Sequence, residues 1–497
     1  MSSGANGSGI APAQADAADG PHRPRLSHLA GYGLLRSFVE GLYGLRGVML
    51  AGVLGAELFG LWSLVRIAQQ YLTVAALGIP RGLEVEISAA SGRKDAAERE
   101  VLAFGRSAVA YLIAVFGALS LVAAAGALLA PGARMQLVLG GLAVGLLAER
   151  LWFYVATFMR ARGLLWRFAW YELAHATLHL LLAVGLGSAF GLWGVFAGLL
   201  FAHLVGVALA SRHVPLRPAW SGDHLGPLVR IGIPVSVSIL LHTALVSVDR
   251  LMVGVFAGAE ALGYYAFAVA VSGLGIVVGH VIRTVLFPEV FDLARRAGAD
   301  ASSDYLDQAL LPFAWVFPPV FCLAALALGP AIELILPSYA AAAPAARIFI
   351  FIGVVQGLAM VASLGVVASG RQHLMPRLTG WAFIANLLLS VGVLRLGFGL
   401  ETLAATALFC RTAYAIALVL AARGGTGWRQ GRRIALRLGM PVALCAALAL
   451  LLGHAFPDPD PGEAALALGM YVLGIAPLTP GVLRAMRQAR RLGRASA

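Results

Sequence analysis

One lysine serves all 497 residues, and charged side chains make up only 12% of them. That lysine, Lys94, is followed by Asp95, so the phosphate-binding loop Gly-x-x-x-x-Gly-Lys-[Ser/Thr] is absent. Nucleotide hydrolysis by that route is excluded, and any transport must draw on an ion gradient, the membrane potential or the solute's own gradient. Cysteine is nearly as scarce. Cys322, Cys410 and Cys445 all fall inside apolar stretches, with neither metal-ligand spacing nor a disulfide pattern. Long polar segments are missing as well. The longest connections on the acidic side, near 330–343 and 454–463, leave no room for a catalytic domain. A membrane enzyme of glycan assembly, which displays a large loop carrying its catalytic groups, is therefore disfavoured.

What fills the chain instead is apolar. Hydrophobic residues make up 60% of it, and the mean hydropathy is +0.84. A soluble protein of this length could not keep so much apolar surface from water. Apolar stretches long enough to cross a bilayer fall at roughly 34–54, 59–88, 103–129, 135–158, 167–187, 190–211, 229–256, 261–290, 309–330, 344–369, 375–395, 400–422, 434–454 and 464–484. The expectation is an all-α polytopic membrane protein of about 14 transmembrane helices.

The net charge of +13 would suit a nucleic-acid binder in a soluble chain. Here the arginines collect in every second gap: Arg93 and Arg99, Arg160 and Arg162, Arg212 and Arg217, Arg295 and Arg296, Arg371 and Arg377, then Arg423, Arg429, Arg432 and Arg433. The alternate gaps hold only Arg134 and Arg395, and carry acids such as Glu57, Glu260, Glu401 and Asp458. Retained arginine marks cytoplasmic loops, so both termini are expected inside, with anionic lipid as the contact of these residues and no nucleic acid partner. The Gly-, Ala- and Ser-rich start of the chain, to about Arg25, has no apolar run and is expected to be a disordered cytoplasmic tail, not a signal peptide.

The chain repeats itself. The first span leaves the membrane through Gly52-Val53-Leu54-Gly55-Ala56-Glu57-Leu58-Phe59-Gly60, the seventh through Gly254-Val255-Phe256-Ala257-Gly258-Ala259-Glu260-Ala261-Leu262-Gly263. Both read Gly-Val, then Gly-Ala-Glu-x-x-Gly, with aromatics after: Trp62 in one, Tyr264 and Tyr265 in the other. Both sit at an odd-numbered exit, so the halves share one orientation, a parallel pseudo-repeat. The expected units are a tail over 1–29, a six-helix lobe over 30–211, a loop over 212–228, a second six-helix lobe over 229–422, two additional helices over 423–484 and a basic tail over 485–497.

Charges inside a bilayer are costly and face a bundle interior or a wet cavity. Most lie in spans 1, 2, 7 and 8. Span 1 carries Arg36, Glu40 and Arg46, with a mutual Arg36–Glu40 pair left open as the simpler role. Span 2 carries Ser63, Arg66, Gln70 and Thr73 at helical spacing, so they share one face. Span 7 carries Ser238, His242, Asp249 and Arg250, and span 8 His280 and Arg283. The candidate substrate-binding residues are Arg46, Arg66, Gln70, Arg250 and Arg283, an arginine excess suited to a phosphate-bearing ligand. Asp249 and His242 are the candidate coupling pair. Arg81, Glu84 and Glu86 are expected to snorkel at a helix end. Glu172, His175 and His179 share a face of span 5, where helix-to-helix hydrogen bonding is expected over metal binding because no further ligand can be named. No cofactor, metal or catalytic residue is expected.

At these residues the chain resembles a known family. Leu54-Gly55-Ala56-Glu57-Leu58-Phe59-Gly60-Leu61-Trp62 is similar to a signature near the N-terminus of bacterial polysaccharide flippases. Arg230-Ile231-Gly232-Ile233-Pro234, Val248 to Gly254 and Leu262-Gly263-Tyr264-Tyr265-Ala266 resemble the start of their second lobe, and Pro337-Ser338-Tyr339-Ala340 with Ala368-Ser369-Gly370-Arg371 a later segment. These are the O-antigen and exopolysaccharide lipid-carrier flippases of the multidrug/oligosaccharidyl-lipid/polysaccharide (MOP) exporter superfamily. The resemblance runs from about 34 to 422. It implies two six-helix lobes around a cationic cleft, alternating access, and passage of an undecaprenyl-pyrophosphate-linked oligosaccharide across the bacterial inner membrane. Implied partners are that lipid-linked oligosaccharide, membrane lipids, and the polysaccharide polymerase and chain-length machinery. A cation-coupled drug exporter and a peptidoglycan-precursor flippase are the alternatives.

The arginine asymmetry makes a topology prediction. Arg217→Cys is expected to react with an impermeant maleimide only from the cytoplasmic side, and Pro131→Cys only from outside. Labelling of both from one side contradicts the expected orientation.

Overall fold

The computed structural model describes residues 26–91, 97–423, 428–456 and 461–495, and every regular element among them is helical. The stretch Leu26–Leu72 is two helices that reverse at Gly55: α1 covers 26–54 and α2 covers 56–91. Then follow α3 (Ala97–Leu129) and α4 (Ala133–Ala161). Leu165–Ala210 reverses at Gly191 into α5 (165–190) and α6 (192–210). After α7 (Gly222–Phe256) come α8 (258–297) and α9 (299–335), joined at Gly298. The remainder are α10 (Ala343–Ala368), α11 (Leu374–Arg395), α12 (Leu400–Ala422), α13 (Trp428–Ala455) and α14, which starts at Pro461 and continues past a turn at Ala476–Leu478 to Ala495. Among the described residues, 12 helical stretches are long and apolar enough to cross a membrane. Two of these, Phe38–Ala76 and Leu165–His213, each hold a helical hairpin, which brings the crossings to the expected fourteen.

The expected tails are partly helical. α1 begins at Leu26, and α14 runs on through the basic stretch after 485; residues 1–25 lie outside the described residues.

The sequence repeat is a structural one. Gly55 and Gly258 take positive φ, 70° and 87°, a conformation that L side chains resist. Each opens a helix carrying its motif copy, and the copies pack on each other reciprocally. A Cβ on Gly60 would sit 1.8 Å from the carbonyl oxygen of Ala259, and one on Gly263 would sit 1.9 Å from that of Ala56. α2 and α8 therefore meet backbone to backbone at the end away from the arginines. Aromatics thicken this seal: Tyr339 is fully buried among Phe59, Tyr264 and Phe267, with ring centroids 6.3, 5.7 and 4.8 Å away.

Toward the arginine end the two helices part company. α2 breaks at Leu77 and Gly78 (φ 47° and 70°), and its second half leans on α7, where Gly78 and Gly232 touch through backbone atoms. The matching half of α8 leans instead on α10 of its own lobe, Gly275 against Gly353. Among the described residues, α1 and α8 leave a gap there. A Cβ on Gly41 or Gly44 would meet no atom within 4 Å. One side of the lobe interface is shut and the other gapes.

The glycine seal is testable by overpacking, which costs roughly 1–3 kcal/mol. Gly60→Val and Gly263→Val are expected to lower the melting temperature in detergent by several degrees. Gly117→Val, where a Cβ meets open space, should leave it in place. An equal drop in all three contradicts the seal.

Candidate functional site

Two cavities lie between the lobes, and Gln70 is on the wall of both. The first, about 660 Å³, fills the gap between α1 and α8. Its polar lining is Glu40, Tyr43, Arg46, Ser63, Arg66, Arg250 and His280, with Trp62 and Phe267 on the sealed side. The second, about 540 Å³, lies between α2, α4 and α7. Thr73, Arg81, Glu84, Arg150, Thr157, Ser236, Thr243 and Arg283 line it. Helical spacing explains the continuity: Ser63, Arg66, Gln70 and Thr73 form one stripe of α2 that passes from the first chamber into the second.

Of the substrate-binding candidates, Arg46, Arg66, Gln70 and Arg250 meet in the first chamber, while Arg283 joins Gln70 in the second. Six arginines thus face the cavity against two carboxylates, and both carboxylates are engaged. Glu40 pairs with Arg36 at 2.6 Å. Glu84 pairs with Arg81 at 2.5 Å and Arg160 at 3.7 Å. Behind the wall, Glu149 serves Arg66 at 3.0 Å and Arg150 at 3.5 Å. Arg46 binds His179 Nδ1. Among the described residues, the Arg250 guanidinium donates to the Val246 carbonyl of its own helix, at 3.3 Å. Among the described residues, no carboxylate pairs with Arg46, Arg250 or Arg283. The cavity is positive, and its guanidinium groups keep donors for an incoming anion.

The two coupling candidates do not come together. Asp249 is fully buried, and its Oδ2 accepts from Arg411 and from Tyr265 Oη, each at 3.1 Å. His242 lies two turns earlier on α7, is exposed, and lines neither chamber. Arg411, 3% exposed and deep in α12, is the partner that sequence reasoning missed; a lone arginine in the middle of an apolar span was the available signal. Arg81 and Glu84 also depart from expectation. The break at Leu77 and Gly78 turns them into the second chamber, and Gly78 with Pro80 marked it.

The α5 histidines gain a third member from α6. His175, His179 and His203 are buried with ring centroids 5.0 Å apart, and their ring nitrogens lie within 4.8 Å of one another. Glu172 and Glu40 both hold Arg36. The span 5 face is thus hydrogen-bonded to α1, as expected: Tyr43 Oη meets His175 Nδ1 at 3.0 Å.

Residues 101–340 match the family model described as polysaccharide biosynthesis protein. No curated protein matches the chain. An inward-facing multidrug resistance MATE family transporter of the MOP superfamily superposes with TM-score 0.64 at 15% identity, covering 82% of this chain and 98% of that one. An outward-facing structure of such a transporter gives 0.57 at 15%, with 82% and 95% covered. A MOP superfamily transporter from Pyrococcus furiosus, described as having a binding pocket of reversed polarity that suggests a different function, gives 0.56 at 16%, again with 82% and 95% covered. The chain has the fold of these MATE-type transporters. The chain is thus similar to polysaccharide biosynthesis proteins over 101–340 and shares its fold with these membrane transporters.

The buried Asp249–Arg411 pair bears directly on stability. Removing one partner of a buried ion pair leaves a bare charge, at roughly 3–5 kcal/mol. Asp249→Ala is expected to lower thermal stability sharply, Asp249→Ala with Arg411→Leu to recover part of it, and His242→Ala to change little. Equal sensitivity at positions 242 and 249 contradicts this assignment.

Proposed function

We propose that the transporter carries a lipid-pyrophosphate-linked oligosaccharide across the bacterial inner membrane, by alternating access, for surface polysaccharide synthesis. The observation that carries this reading is the arginine excess of a cavity in which, among the described residues, the two lining carboxylates are already ion-paired. A pyrophosphate group presents several oxygens to planar guanidinium forks, and Arg46, Arg66 and Arg250 surround one chamber. Gln70, Ser63, Thr73 and Thr243 offer neutral hydrogen-bonding groups for sugar hydroxyls. Each chamber is of the size that holds a small ligand, about 300–1,000 Å³, and a polyprenyl tail does not fit. The gap between α1 and α8, with Gly41 and Gly44 facing open space, lets the tail stay in the bilayer while the headgroup sits inside.

With the arginine end in the cytoplasm, the glycine and aromatic contacts close the cavity toward the outside. Headgroup capture then precedes separation of α2 and α8. A non-enzymatic role follows from this reading, since the cavity is arranged to bind and pass a ligand. The drug-exporter alternative is weaker because a cationic drug would meet six arginines and no unpaired carboxylate.

Deleting the gene in its host tests the reading. Undecaprenyl-pyrophosphate-glycan is expected to accumulate on the cytoplasmic leaflet, and surface polysaccharide to be lost. Wild-type protein should restore it, and Arg46→Ala/Arg250→Ala should restore less than a tenth. Normal surface polysaccharide with new sensitivity to cationic dyes would sink the proposal.

A further inference from the structure

The three-histidine cluster is buried in the N-terminal lobe and unexplained by substrate contact. His175, His179 and His203 are 2%, 4% and 6% exposed. The Nε2 atoms of His175 and His179 have no hydrogen-bond partner. Their environment fixes two tautomers. His203 Nδ1 lies 2.6 Å from the Leu199 carbonyl, which only accepts, so Nδ1 carries the hydrogen and Nε2 is bare. His179 Nδ1 faces Arg46, which only donates, so Nδ1 is bare and Nε2 carries the hydrogen. Arg46 is also a wall residue of the first chamber. One side chain therefore links the cluster to the cavity.

We propose that the cluster is a proton-binding site exchanged against Arg46, and that ligand in the cavity controls its occupancy. The inference rests on the cavity binding a phosphate-bearing ligand. While Arg46 sits on His179 Nδ1, that nitrogen has no free lone pair. An anion in the chamber draws Arg46 off. The vacated lone pair takes a proton from water, and His179 becomes an imidazolium donating from both nitrogens. The His203 ring lies beside it, with centroids 5.0 Å apart. Return of Arg46 expels the proton.

Charged and titratable groups face the cluster from four helices. From α1 come Tyr43 and Arg46, from α2 Arg66, from α4 Glu149 and Arg150, and from α6 His203 itself. Glu149 and Arg66 face His203 across a small void. Trp152 stacks on His175 with centroids 4.1 Å apart. A divalent metal suits the cluster less well. A tetrahedral ion holds its nitrogens at about 2.1 Å, hence roughly 3.4 Å apart, and Arg46 already supplies a positive charge at the site.

The test is calorimetric titration of purified protein with farnesyl pyrophosphate in buffers of differing ionisation enthalpy. Wild type is expected to bind with proton uptake, and affinity to rise as pH falls, approaching about tenfold per pH unit. His179→Gln keeps an acceptor for Arg46 but cannot be charged; it should bind without uptake. Binding by wild type without uptake, or uptake retained in His179→Gln, overturns the proposal. No binding by wild type overturns the function reading instead, and a ligand-free measurement then decides this one. Arg46→Ala should show acid quenching of Trp152 fluorescence at higher pH than wild type, absent in Trp152→Phe. Identical curves for wild type and Arg46→Ala overturn the proposal. So does zinc retained at one per chain and lost in His203→Ala.

Discussion

Everything in this molecule hangs on two glycines that let two helices touch. Gly60 and Gly263 bring the backbones of α2 and α8 together at one end of the lobe interface, each against an alanine of the other motif copy. Because the contact is reciprocal, it is what a gene-internal repeat produces when its two products pack as a pseudo-dimer. Closing one end by backbone contact leaves the helices free to splay at the other, and the splayed space is the cavity. Opening it must also unpack the aromatic cluster around Tyr339.

The same geometry solves the problem of intramembrane charge. An arginine in the middle of a bilayer costs roughly 2.5–3.5 kcal/mol or more, and six line these chambers. Turning them into the two inter-lobe chambers keeps them from facing lipid. Partial pairing through Glu149 behind the wall limits their mutual repulsion without cancelling it. The C-terminal lobe treats its charge differently: Asp249 and Arg411 neutralise each other in a dry interior. The lobes are similar in helix arrangement and unlike in chemistry.

How much of this was legible in the sequence depended on range. Spans, reversals and the repeat are local, and apolar run length with Gly-Ala-Glu-x-x-Gly placed them. The stripe from Ser63 to Thr73 was legible because helical spacing is fixed. Pairings between distant spans were not. Glu149, Arg150, Arg411 and His203 each stand mid-span as visible polar residues, yet nothing in the chain says that Glu149 meets Arg66 or that His203 meets His175. For the same reason Asp249 and His242, near in sequence, looked like a pair, while the true partner of Asp249 lies on α12.

Carriage of a lipid pyrophosphate across the bilayer by the arginine cavity is what we propose. Reconstitution into vesicles with a fluorescent short-chain polyprenyl-pyrophosphate disaccharide, followed by quenching from one side, measures it directly. The account predicts wild-type translocation well above protein-free vesicles and its near loss in Arg46→Ala/Arg250→Ala. Equal translocation by that variant, or faster movement of a cationic dye than of the lipid pyrophosphate, would contradict it.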